Sequence, residues 1–249
     1  MDQGAQKTTA MVVVKDLTKV FNSKKVAVNS ISFNVNKNTI FGILGPNGSG
    51  KTTTLRMLTT ILPPTSGEIT INRLKFEDKG QEIRYHIGYV PQKDALYDNL
   101  TIRENVDLFF SAYSYDGDRR KRIEQVLRKV DLYNEKNVLV KNLSGGMAKR
   151  LSIACAIAHK PKIVFFDEIT MGLDPHARSR IWNLVRELKE TSTIIMTTHY
   201  MDEAEKLCDE LIIMREGSII GEGTPSHILE KFKAKNLDQI FAQITDENS

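Results

Sequence analysis

The stretch GPNGSGKT, residues 45–52, decides the fold. It follows the apolar, strand-like residues 39–45 and runs into KTTTLRMLTTIL, residues 51–62, which reads as a helix stopped by Pro63 and Pro64. A strand, a glycine-rich turn and a helix in that order make a phosphate-binding loop. Gly45, Gly48 and Gly50 let the backbone curl until successive N–H groups point inward, and the helix adds the positive end of its dipole. Lys51 then reaches the β- and γ-phosphates and the Thr52 hydroxyl ligates Mg²⁺, with Pro46, Asn47, Ser49 and Thr53 completing the cradle. The expected ligands are ATP and magnesium.

Outward from the loop, residues 11–17, 26–35, 68–71 and 87–90 read as strands. Residues 102–159 form a long, mostly helical stretch, an inserted helical subdomain. Residues 163–166 are continuously apolar, the mark of a strand buried on both faces, and 193–197 and 211–214 repeat the pattern. Helices begin near Pro175 and Met201, Thr224-Pro225 caps another, and Leu237, Ile240, Phe241 and Ile244 stripe a terminal one. The class is α/β, a doubly wound sheet.

Two further clusters carry chemistry. Asp167 and Glu168 end the run IVFF, where a parallel strand delivers both carboxylates to the sheet edge beside the loop. Asp167 holds magnesium on this reading, and Glu168 polarises the water that attacks the γ-phosphate. LSGGM, residues 143–147, is a Ser-capped helix start whose Ser144, Gly145 and Gly146 admit a second phosphate close to the backbone. One phosphate loop and two anion-binding helix ends serve each other when two copies pack head to tail.

In this order the motifs resemble those of the ABC transporter ATPases over nearly the whole chain. GPNGSGKT is similar to the Walker A motif, Gln92 in YVPQ to the Q-loop, LSGGM to the signature, IVFFDE to Walker B, MGLD to the D-loop, and His199 in TTHYMDEAE to the switch histidine. The resemblance implies a P-loop NTPase with a RecA-like core, an N-terminal antiparallel β subdomain and an inserted α-helical subdomain. It places the ATP-binding core in residues 1–91 and 160–223, the helical part in 92–159 and closing helices in 224–249. It also implies that Gln92 touches Mg²⁺ and senses a membrane partner, that His199 contacts the γ-phosphate, and that Asp174 lines a dimer seam. Phe21 lies where the family commonly has a Tyr stacked on adenine. Such a face gives about 1–3 kcal/mol without reading hydrogen bonds, which implies modest selectivity among triphosphates; packing in the core is its competing role.

Three residues depart from the family pattern. Met147 replaces a Gln, as it often does in the exporter branch, and Cys155 replaces an Arg. Ile169 replaces a Pro, which frees Glu168 from the backbone restriction a following proline imposes and implies looser positioning.

Bulk properties narrow the class. The 249 residues, 41% hydrophobic and 27% charged, describe a globular chain that buries a sizeable core. A net charge of +4, spread along the chain, supports nucleic acid binding only weakly, and no nucleic acid partner is expected. The densest basic run, Arg119, Arg120, Lys121 and Arg122, reads as the solvated start of an amphipathic helix. Cys155 and Cys208 are too few for a disulfide framework and fit a reducing cytosol. No apolar run is long enough to span a bilayer and the polar start lacks a signal core, so the expectation is a cytoplasmic protein held on the inner face of the membrane by a partner.

The expected function is ATP hydrolysis by a homodimer, formed in the ATP-bound state, that drives a separate transmembrane permease. Resemblance of the TTHYMDEAE segment and the closing LDQIF to the drug, lipid and polysaccharide exporters favours export. A soluble ABC ATPase, as in iron–sulfur cluster assembly, is the alternative, and a nucleotide-gated dimerisation module is a third.

Overall fold

The computed structural model describes residues 10–22 and 24–246. Its elements are β1 (Ala10–Val20), β2 (Val26–Asn36), β3 (Ile40–Leu44), α1 (Lys51–Leu58), β4 (Ser66–Ile71), β5 (Leu74–Lys75), α2 (Phe76–Ile83), β6 (Ile87–Val90), α3 (Ile102–Ser111) and α4 (Arg119–Lys129). There follow α5 (Gly145–Ile157), β7 (Ile163–Asp167), α6 (Pro175–Lys189), β8 (Thr193–Thr198), α7 (Met201–Leu207), β9 (Glu210–Arg215), β10 (Ser218–Gly223), α8 (Pro225–Phe232) and α9 (Leu237–Asp246).

Two sheets carry the fold. A six-stranded sheet has the order β10-β9-β3-β8-β7-β6, parallel except for the edge strand β10, and an antiparallel sheet has the order β2-β1-β4-β5. The apolar runs are buried on both faces because alternate side chains enter opposite cores. In β7, Ile163 and Phe165 pack with the antiparallel sheet and α1, while Val164 and Phe166 pack with α5 and α6. Phe33 of β2 stacks on Phe41 of β3, ring centroids 5.4 Å apart, joining the two sheets. This is the mixed α/β P-loop architecture that the motifs imply.

The order β3-β8-β7-β6 sets four carboxyl ends side by side. They lead into the glycine loop, His199, Asp167–Glu168 and Gln92, and ligands of open parallel sheets bind at that edge.

Local details differ from the sequence expectation. The helix after the loop ends at Leu58, four residues short of the Leu62 that the sequence suggests. Thr60 turns left-handed (φ 60°), its N–H donates to the Met57 carbonyl (3.1 Å), and the Ile61 N–H donates to that of Arg56 (3.0 Å). That Schellman turn, rather than the prolines, satisfies the helix end. The short elements β5 and α2 and the edge strand β10 lie outside the sequence expectation. Arg119 does open α4 behind an Asp118 cap, but Arg122 turns inward. Its guanidinium donates to the carbonyls of Ala158 (2.8 Å) and Ile157 (2.9 Å), closing the C-terminus of α5.

Candidate nucleotide site

The glycine loop is locked from behind. Gly45 has φ 152° and a Cβ there would lie 2.3 Å from the Met214 carbonyl oxygen; Gly50 has φ 106° and a Cβ there would lie 2.5 Å from that of Ala27. Any other residue at either position meets backbone that cannot step aside. The Gly217 N–H, from the turn between β9 and β10, donates to the Ser49 carbonyl (3.0 Å). No side chain caps the start of α1, so its first amides stay open for an anion.

In front of the loop is a cleft of about 490 Å³ lined by Phe21, Lys25, Asn47, Gly48, Gly50, Lys51, Thr52, Thr53, Gln92 and Glu168. Phe21 is 41% exposed at its edge and therefore is not a core residue. Gly45 and Pro46 contribute carbonyls that accept from Lys51 Nζ at 2.8 and 3.1 Å, and Ser49 is buried with its hydroxyl unpartnered. Burial holds the Lys51 ammonium below its ordinary range, against the opposing pull of Glu168 and Asp167.

Three elements converge on Glu168. Gln92 Nε2 donates to Oε2 (3.2 Å), His199 Nδ1 lies 3.3 Å from the same oxygen without hydrogen-bond alignment, and Lys51 Nζ lies 3.7 Å from Oε1. The backbone of Glu168 is left-handed (φ 48°), a conformation that costs a non-glycine residue about 1–3 kcal/mol. Thr197 holds it there: the Glu168 N–H reaches the Thr197 hydroxyl (3.1 Å) and carbonyl (3.2 Å). Ile169 is buried in the core beside it. The looser positioning expected from the missing proline is thus countered by a pair of acceptors on β8.

Asp167 is equally well held. Its Oδ1 accepts from the hydroxyls of Thr52 (3.2 Å) and Thr197 (2.7 Å), and its Oδ2 accepts from Tyr89 (3.5 Å). Burial first, and Asp167 second, push the Tyr89 phenol up to about 12, so it remains a neutral donor. The Thr52 hydroxyl, the Asp167 carboxylate and the Gln92 amide are hard oxygen donors of the kind that suit Mg²⁺. Among the described residues no three His, Cys, Asp or Glu side chains gather into a metal cage, so a magnesium ion here would need phosphate and water for its remaining ligands.

Ser144, Gly145, Gly146 and Asp174 lie elsewhere. They line a second cleft, of about 310 Å³, together with Gly172, Arg150, His176 and Arg180, and it shares no residue with the first. Ser144 caps α5 by accepting the Met147 N–H (3.3 Å), and Asp174 caps α6 by accepting that of Ala177 (2.9 Å), a bond that lowers the Asp174 carboxyl's pKa. A Cβ on Gly146 would lie 3.1 Å from that of Ala177, so the glycine lets the two helix starts meet. Sequence reasoning passed over Thr197, Tyr89, Lys25, His176 and Arg180. Thr197 and Tyr89 sit within the TTH and YVPQ segments, two and three residues from the positions singled out there.

Comparison with known proteins shows the family. Residues 28–171 match the family model described as ABC transporter. The linearmycin resistance ATP-binding protein LnrL of Bacillus subtilis is 37% identical over 92% of this chain and 74% of its own length. Nod factor export ATP-binding protein I of Bradyrhizobium diazoefficiens is 40% identical over 90% of this chain and 74% of its own length. Human ATP-binding cassette sub-family A member 2 is 38% identical over 86% of this chain, which spans only 9% of that protein. Among solved structures, the ATP-binding subunit of an ABC transporter superposes with a TM-score of 0.84 at 28% identity, covering 94% of this chain and 99% of its own. A dimeric ATP-binding cassette in a post-hydrolysis state with ADP and Pi gives 0.78 at 30% identity, covering 86% of this chain and 98% of its own. The chain therefore belongs to the ABC transporter family, as an ATP-binding and ATP-hydrolysing domain of it.

Proposed function

We propose that two copies close head to tail around two ATP molecules and drive a separate transmembrane subunit of an exporter from the cytoplasmic face of the membrane. The observation that carries this reading is the separation of the two clefts. Lys51, Gln92, Glu168 and His199 gather at the phosphate loop, whereas Ser144, Gly145, Gly146 and Asp174 line a cleft with no residue in common with it. A helix end that offers amides but faces no phosphate loop of its own suits the phosphate of a second copy. The dimeric ADP-and-Pi cassette supports that arrangement, and the names of the Nod factor export and linearmycin resistance relatives support export.

In each site Lys51 and the loop amides grip the triphosphate, Phe21 stacks on the base, and Glu168 accepts the proton of the attacking water. Gln92 and His199, both already against Glu168, report the γ-phosphate to the rest of the chain. Thr52, Asp167 and Gln92 would hold Mg²⁺, which when bound would neutralise charge on the phosphate oxygens. Residues 1–91 and 160–223 act as the ATP-binding core, 92–159 as the part that moves, and 224–249 as a closing segment, although 1–9, 23 and 247–249 lie outside the described residues.

The membrane subunit docks in a groove of about 370 Å³ lined by Ile61, Tyr89, Pro91, Leu96, Phe109, Tyr113 and Cys155, among others. Pro91 lines that groove while its neighbour Gln92 lines the nucleotide cleft, so a single peptide touches both. Among the described residues no helix is long and apolar enough to cross a membrane.

Glu168→Gln removes the base while leaving the grip on ATP, and is expected to elute as a dimer with ATP and Mg²⁺ and as a monomer without nucleotide. A variant that stays monomeric at saturating ATP, by light scattering, overturns the dimer.

A further inference from the structure

Glu203 takes no part in the chemistry above, yet at 1% exposure it is the least exposed carboxylate among the described residues. Burying an ionisable group is costly unless its oxygens are satisfied, so its partners are informative. Trp182 Nε1, on α6, donates to its Oε1 at 2.8 Å. The hydroxyls of Thr198, at the end of β8, and Thr170, two residues beyond Glu168, face the same carboxylate. Thr198 Oγ1 in turn accepts the N–H of Tyr200, the residue after His199 (3.0 Å).

From α6, the Arg178 guanidinium lies 4.4 Å over the Tyr200 ring, and its Nη1 lies 3.9 Å from Asp202. Burial raises the Glu203 carboxyl above the usual range, opposed by the two threonines, the indole and Arg178. One contact is slack: Glu203 Oε2 and Thr170 Oγ1 are both buried and neither completes a hydrogen bond. Glu203 thus touches the loop that runs from Glu168 to Asp174, the peptide that carries His199, and the helix that Asp174 caps.

We propose that Glu203 is a positioning residue for hydrolysis, its carboxylate holding the Thr170 side of the Glu168 loop and the Thr198–Tyr200 segment bearing His199 at one spacing. The inference rests on the reading of Glu168 as base and His199 as γ-phosphate contact. A misplacement of about 1 Å at a reacting group costs about 10²-fold in rate without weakening ground-state binding. The Glu203→Ala variant is therefore expected to lose kcat by about 10- to 100-fold, and Thr170→Val, which removes only the slack contact, by less, while KM and the affinity for ATP stay near wild type. Glu203→Gln keeps a carbonyl for Trp182 and an amide that the threonine hydroxyls can accept from, and is expected to recover most of the loss.

Steady-state phosphate release, binding of a fluorescent ATP analogue and thermal melts on the purified full chain decide it. Wild-type kcat in both Glu203→Ala and Thr170→Val, a loss that Glu203→Gln does not recover, or a loss matched by equally weakened binding overturns the proposal. If Glu203→Ala does not fold, Thr170→Val and Glu203→Gln decide in the same terms. Glu168→Gln, run alongside, separates the two ideas: full turnover there sinks the reading of the base, whereas full turnover only in the Glu203 and Thr170 variants sinks the positioning role.

Discussion

Two helix starts in this protein offer backbone amides to an anion, and they are built differently. At α1 no side chain occupies the amides, Lys51 is buried at the first position, and Asp167 and Glu168 stand opposite. At α5 the Ser144 hydroxyl already accepts one amide, and Glu168 lines the other cleft. On the proposed reading the first start carries the catalytic groups and the second only a grip. On that reading a chain with one of each is half of two sites, and mutations in the two clefts are expected to separate dimer formation from hydrolysis.

The largest effect belongs to the first cleft. Glu168→Gln is expected to slow phosphate release by about 10²- to 10⁴-fold while ATP still binds, because it removes a positioned base and nothing from the loop. Normal turnover in that variant breaks the contrast. Ser144→Ala is the sharper comparison. It removes a hydroxyl that would bond a charged phosphate of the partner's nucleotide, so turnover is expected to fall by about 10- to 100-fold. Binding of ATP to the isolated chain is expected to be unaffected, since the two clefts share no residue. Weakened monomer binding would mean that both helix starts serve one nucleotide.

The smallest effect sits just past the far end of α5. His159 Nε2 hydrogen-bonds the Ile87 carbonyl (3.0 Å), its ring stacks on Tyr113 at 3.7 Å, and its Nδ1 is buried without a partner. Burial, the largest cause, lowers its pKa from 6.5 to about 4. The unfolded chain therefore takes up the proton first as pH falls, so the stability from a neutral His159 is present above pH 6.5 and lost between there and about pH 4. At pH 5.5 the loss is expected to be about 1 kcal/mol, visible in denaturant melts and flattened in His159→Gln. An unchanged pH profile in that variant means that the helix is not clamped there.

Much of this was legible in the chain itself. GPNGSGKT, the two-faced apolar strands and the caps at Ser144 and Thr224 rest on local rules, since glycine tolerance, side-chain alternation and capping act within a few residues. The end of α1 was misread because Pro63 and Pro64 are the visible stop signal, whereas the actual one is a backbone turn at Thr60 that no residue type announces. Arg122 was misread because a charged residue in a basic run gives no hint that the carbonyls of Ile157 and Ala158, 35 and 36 positions on, need donors.

The sequence by itself determined the phosphate loop, the sheet class and the family, because each follows from residues near one another in the chain. Only the tertiary structure decided that Thr197 braces both acidic residues, that Glu203 is buried against Trp182 of α6, and that the LSGGM turn lines a cleft sharing no residue with that of the phosphate loop. Those are relations between strand ends and helix starts brought together by the order of the sheet, and strand order is set by packing over long separations that local chemistry does not encode.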